Sequence, residues 1–140
     1  MKVGVIGAGV MGEALITALI SYGVNTNEIA ISEKRTDRAD ELVSRYGIRV
    51  EELSNNVSSR EILLLVVKPQ DMADLLAQIS PHVKASTTVV SFAAGKKIDF
   101  ISAGLGGASP VIRVMPNTPT LVGAGTVSYT HLTLPTNREV

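Results

Sequence analysis

The sequence predicts an α/β fold built on a doubly wound parallel sheet. Three observations carry this expectation. Short apolar runs alternate with helix-patterned segments along the chain, the order that a parallel sheet with crossover helices needs. One such run, Val3-Gly4-Val5-Ile6, breaks into Gly-x-Gly-x-x-Gly at Gly7, Gly9 and Gly12 and leads into an apolar periodic segment. Another, Ile-Leu-Leu-Leu-Val-Val at 62–67, is continuously apolar, as a strand covered on both faces should be.

The elements follow in order. Residues 2–6 read as the first strand and 11–22 as the first helix, with Ala14, Leu15, Ala18 and Leu19 spaced for one buried face and Gly23 as its stop. Residues 28–32 form a second strand. Thr36 or Asp37 is placed to cap a second helix that runs through Arg45 and ends near Gly47. A short third strand follows at 48–50, then a polar connection at 55–59. The apolar run at 62–67 is ended by Lys68-Pro69, and 70–79 is helical by pattern until Ser80-Pro81. A strand at 87–91, a helix at 97–103, a glycine turn at 104–107 and a last strand at 110–115 complete the pattern. Residues 129–140 change in character, so 1–128 is expected to be the domain and 129–140 a non-native or disordered tail.

The composition narrows the function. The chain has 140 residues, enough for one domain with an adequate core. Lys plus Arg and Asp plus Glu both number 13, a balance that predicts neither a nucleic-acid surface nor a polybasic membrane patch. The absence of cysteine excludes disulfides, a thiol nucleophile and cysteine metal sites, and fits a reducing cytoplasm. Met1-Lys2 leads straight into the first strand, so no signal peptide is expected, and the run at 62–67 is too short to span a bilayer. His82 and His131 are far apart and read as surface residues, which leaves no histidine metal site.

The segment Gly7-Ala8-Gly9-Val10-Met11-Gly12 points to a dinucleotide. Gly7 permits the tight turn out of the strand. Gly9 lets a pyrophosphate approach the backbone, and Gly12 lets the helix lie close on the strand. The helix begins with unpaired N–H groups and a partial positive charge, which suit a diphosphate. At the end of the second strand stand Ser32-Glu33-Lys34-Arg35. A carboxylate at Glu33 would accept from ribose hydroxyls and favour NAD. The cations Lys34 and Arg35, with the Ser32 hydroxyl, would neutralise a 2′-phosphate and favour NADP. Two cations and a hydroxyl against one carboxylate tilt the expectation to NADP, with NAD as the other choice.

Ligands of an open α/β sheet sit beyond the carboxyl ends of its strands. Three further segments fall there. In Val67-Lys68-Pro69-Gln70 a lysine can reach cofactor or substrate oxygens. In Ser91-Phe92-Ala93-Ala94-Gly95 small residues let a flat ring lie against backbone. In Met115-Pro116-Asn117-Thr118-Pro119 two prolines hold Asn117 and Thr118 rigidly. Arg113, inside a strand, reads as a structural pair.

Taken in order, the glycine turn, Val67-Lys68-Pro69-Gln70, Ser91-Phe92-Ala93-Ala94-Gly95 and Arg113-Val114-Met115-Pro116-Asn117-Thr118-Pro119 resemble pyrroline-5-carboxylate reductase over roughly residues 1–128. The resemblance implies a Rossmann-type domain that binds NADP or NAD. It carries cofactor roles onto Gly7 to Gly12, Ser32 to Arg35, Asn55 or Asn56, Val67, Lys68, Pro69, Gln70, Ala93, Ala94 and Gly95, and puts Asn117 and Thr118 near nicotinamide and substrate. It also implies hydride transfer to the C=N carbon of 1-pyrroline-5-carboxylate, giving L-proline, in a cytoplasmic enzyme without nucleic-acid or membrane partners. A protonated imine is a good hydride acceptor, so alignment and exclusion of water are the main tasks of the protein. The family continues into a helical C-terminal domain that builds a homo-oligomer, which this chain does not reach; the expectation for these 140 residues alone is weak cofactor binding without turnover. The other readings are a β-hydroxyacid-dehydrogenase-like enzyme or a deazaflavin-using reductase, which share the glycine turn, and a non-catalytic nucleotide-binding fragment.

Overall fold

The computed structural model describes residues 1–115. Asn117, Thr118, their flanking prolines, His131 and the expected tail at 129–140 lie outside the described residues. Eleven regular elements are described: β1 (Val3–Ile6), α1 (Val10–Ser21), β2 (Ile29–Ser32), α2 (Thr36–Tyr46), β3 (Arg49–Val50), α3 (Leu53–Ser59), β4 (Ile62–Leu65), α4 (Met72–Ile79), β5 (Thr88–Ser91), α5 (Ile98–Gly104) and β6 (Val111–Arg113). Single 3₁₀ turns at Thr26–Glu28 and Pro69–Asp71 lead into β2 and α4.

All six strands are parallel, in the order β3-β2-β1-β4-β5-β6. Side chains alternate across the sheet and divide the core in two. Val3, Val5, Ile29, Ile31, Leu64, Val90 and Ile112 pack with Leu15 and Ile16 of α1 and Ala39 and Leu42 of α2. Ile6, Leu63, Leu65, Val89 and Val111 pack with Val57 of α3, Met72, Leu75, Leu76 and Ile79 of α4, and Ile98 and Ile101 of α5. Helices therefore cover both faces, which is the doubly wound architecture and the reason the strand at 62–65 is apolar without alternation.

Several boundaries differ from the sequence-based expectation. Residues 55–59 are not a polar connection but part of α3, with Asn56 and Val57 buried; the polar segment folds because the buried amide of Asn56 finds partners on other elements. The fourth strand stops at Leu65, although Val66 N still donates to Ile6 O at 2.9 Å. Beyond it Val66 and Val67 pack toward opposite cores. Gly104 belongs to α5. Neither Thr36 nor Asp37 caps α2: Arg35 occupies the cap position, and its N–H donates to Glu33 Oε2 at 3.1 Å. The buried stripe of α1 is centred on Leu15 and Ile16, while Ala14 and Ala18 are only half-buried.

Register positions the site. Ser32, Ile6, Leu65, Ser91 and Arg113 lie level at the carboxyl ends of β2, β1, β4, β5 and β6. The segments that follow them therefore emerge along one edge of the sheet. Between β1 and β4 the strand order reverses, and such a switch point opens a crevice.

Candidate functional site

At the switch point the chain leaves β1 through Gly7, whose φ is +93°. A Cβ here would stand 2.6 Å from Val66 O. The turn and the exit of β4 thus meet through backbone, and a larger residue at Gly7 would force them apart. Gly12 closes the other side of the turn: its Cβ would lie 2.6 Å from Gly7 O. Its close approach is to the turn itself more than to the strand. Gly9 differs from both. It is exposed, and a Cβ on it would meet nothing within 4 Å. The first intrahelical bond of α1 runs from Glu13 N to Gly9 O at 3.0 Å. The N–H groups before it have no acceptor within the helix and open onto the space that Gly9 leaves. Val10, at the mouth, is 68% exposed, whereas Ala8 is buried.

The β2–α2 connection braces this turn. Glu33 Oε1 accepts from Ala8 N at 2.9 Å while its Oε2 holds Arg35 N. Arg38 Nε donates to Ala8 O at 2.8 Å, and Arg38 Nη2 to Gly9 O at 3.3 Å and Glu13 Oε1 at 2.7 Å; Arg38 Nη1 pairs with Glu41. Glu13 is held further by Tyr46 Oη at 2.6 Å and by Arg45. The Tyr46 hydroxyl, then Arg38 and Arg45, hold the Glu13 carboxyl down at about 2, well below the usual carboxylate range, against the opposing effect of burial. Between the turn and α2 lies an open cleft of about 440 Å³ lined by Gly9, Val10, Glu13, Arg35, Asp37, Arg38 and Glu41.

The candidate residues fall into three groups. Those at Gly7 to Gly12, Glu33 to Arg35, Val67 to Gln70 and Ala93 to Gly95 come to one edge of the sheet, with Lys34, Arg35, Lys68, Gln70, Ala94 and Gly95 exposed there. Ser32 and Asn56 turn inward instead. Ser32 Oγ donates to Glu51 O at 2.9 Å. Asn56 is 0% exposed; its Nδ2 donates to Ser32 Oγ at 2.9 Å and Ala30 O at 3.2 Å, and its Oδ1 accepts from Arg60 Nε at 3.0 Å. Their side chains support the sheet edge from behind, with the Ser32 hydroxyl proton donated to Glu51 O, while Asn55 is exposed. Asn117 and Thr118 form the third group, outside the described residues. Arg38 and Glu13 were not among the candidates. The stripe Arg38, Glu41, Arg45 at spacings of three and four is visible in the sequence as one helix face; that it faces Glu13 and the glycine turn is not.

Strand order and glycine turn together define the Rossmann class of α/β domains. The chain belongs to the family described as "NADP oxidoreductase coenzyme F420-dependent", which matches residues 2–95, from β1 to the exit of β5. Its relatives include pyrroline-5-carboxylate reductases. That of Corynebacterium melassecola is 36% identical over 132 residues, covering 91% of this chain and 49% of that protein. That of Escherichia coli (strain K12) is 37% identical over 131 residues, covering 92% and 49%. A solved pyrroline-5-carboxylate reductase from Coxiella burnetii matches with a TM-score of 0.80 at 26% identity, covering 86% of this chain and 46% of that one. The chain spans about half the length of the curated relatives it matches. No helix among the described residues is long and apolar enough to cross a membrane.

Proposed function

We propose that residues 1–128 are the NADP(H)-binding domain of a cytoplasmic, homo-oligomeric pyrroline-5-carboxylate reductase, which reduces 1-pyrroline-5-carboxylate to L-proline. The observation that carries this reading is the 36–37% identity to two curated reductases of that name across nine-tenths of the chain. The glycine turn fits the cofactor on its own evidence: Gly9 leaves open space above the first N–H groups of α1, where a diphosphate is stabilised by unpaired donors and the helix dipole. Preference for NADP over NAD is supported by Glu33, both of whose carboxylate oxygens are engaged by backbone N–H groups, while Lys34 and Arg35 stay exposed beside the cleft.

Bound nicotinamide supplies the hydride. The chain's own part is alignment: Val67 to Gln70 and Ala93 to Gly95 shape the edge on which the ring would lie, Lys68 offers a cation to cofactor or substrate oxygens, and Asn117 and Thr118 are assigned to the substrate side by the resemblance. Calorimetric titration with NADPH and NADH, on this chain and on Gly9→Val, tests the binding half. Saturable binding that is tighter for NADPH and absent in the variant is expected; no binding of either nucleotide would overturn it. NADPH consumption on addition of 1-pyrroline-5-carboxylate, measured on the protein at its full cellular length, tests the substrate.

A further inference from the structure

We propose that Arg38 and Glu33 are positioning residues that clamp Ala8 from both sides and so preform the glycine turn, and that Arg38 does not read the 2′-phosphate. This rests on the dinucleotide reading above. Glu33 Oε1 holds the Ala8 N–H at 2.9 Å and Arg38 Nε holds the Ala8 carbonyl at 2.8 Å. The same guanidinium reaches Gly9 O at 3.3 Å. Two opposite charges, Glu33 from the β2–α2 connection and Arg38 from the first turn of α2, thus grip both polar groups of one buried residue. With the carbonyls of Ala8 and Gly9 turned toward Arg38, the turn keeps its shape without a ligand, and a diphosphate meets donors already in place. Arg38 lines the cleft, but its charge is balanced by Glu13 and Glu41, with which it pairs. Arg35, exposed at the cap of α2, is the cation left facing solvent at the same cleft.

The test separates clamp from contact. Arg38→Met removes the donors while Glu13 keeps Arg45 and Tyr46. Hydrogen–deuterium exchange on nucleotide-free protein should then speed up over residues 7–13 and remain unchanged in the β4 and β5 cores. Affinity should fall by about tenfold or more, equally for NADH and NADPH, because the diphosphate is common to both. Arg35→Met should weaken NADPH alone. Unchanged exchange in Arg38→Met, or a loss confined to NADPH, would overturn the clamp. If the parent chain binds neither nucleotide, the dinucleotide reading fails, while exchange at the turn still decides whether the clamp exists. Should Arg38→Met fail to fold, Glu33→Ala removes the other jaw and is judged by the same two readouts.

Discussion

Gly12 stands against Gly7: a Cβ on Gly12 would lie 2.6 Å from the Gly7 carbonyl oxygen. That oxygen is backbone of a turn held on both sides, by Gly7 N donating to Ser32 O at 3.0 Å and by Glu33 and Arg38 on Ala8, so it cannot give way as a flexible side chain would. Helix propensity favours alanine over glycine by about 1 kcal/mol, but overpacking against fixed backbone costs about 1–3 kcal/mol. Sterics win, so Gly12→Ala should lower stability by about 1–2 kcal/mol in urea unfolding. A variant as stable as the parent would show that α1 can shift off the turn.

Gly9 should behave in the opposite way. Its backbone is extended, with φ −77° and ψ −155°, and a Cβ meets nothing. Gly9→Ala should therefore change stability by less than about 0.5 kcal/mol, yet weaken nucleotide binding by about tenfold because the methyl occupies the approach to the turn. Melting temperature and calorimetric affinity on the same sample separate the two effects. Affinity equal to the parent's would remove the diphosphate from this position.

Acid should loosen the contact between α1 and α2. Glu13 is shifted from 4.5 to about 2, chiefly by the Tyr46 hydroxyl and then by Arg38 and Arg45. Its folded value lies below its unfolded one, so the stabilisation is present above about pH 4.5 and disappears as pH falls toward 2. Solvent screening of a carboxylate 22% exposed holds its contribution at neutral pH to about 1–2 kcal/mol. Tyr46→Phe should raise the Glu13 midpoint, seen by carboxylate NMR titration, and move the acid limb of thermal stability to higher pH. An unmoved midpoint would assign the shift to the arginines alone.

Asn56 should matter to stability and not to binding. Its amide links Ala30 O, Ser32 Oγ and Arg60 Nε, and the Arg60 guanidinium also pairs with Glu51 while its side chain is only 4% exposed. Asn56→Ala leaves these buried groups short of partners and should cost about 2–3 kcal/mol. Nucleotide affinity of the folded fraction should stay within about threefold of the parent's. A larger loss of affinity at unchanged stability would mean that Asn56 reaches the ligand directly.

Much of the fold was legible along the chain. Glycine spacing after an apolar run marks a strand, turn and helix by local sterics. The continuous apolar residues of β4 mark burial on two faces. Local patterning failed at α3, where Asn55, Ser58 and Ser59 look like a loop and the helix depends on Asn56 finding acceptors on β2. It did not show the contacts of Glu33, whose oxygens accept from the N–H groups of Ala8 and Arg35.

The division has a physical cause. Backbone geometry and the alternation of apolar residues are set by neighbours in the chain, so the sequence by itself determined the parallel α/β architecture, the glycine turn and the strand ends that carry the site. The direction of a polar side chain is set by whichever partner reaches it through space. Glu13 meets Arg38, Arg45 and Tyr46 across 25 to 33 residues, and Arg38 meets Ala8 across 30. Only the tertiary structure, by laying α2 beside the start of α1, decided that these charges brace the turn, and that Ser32 and Asn56 face inward.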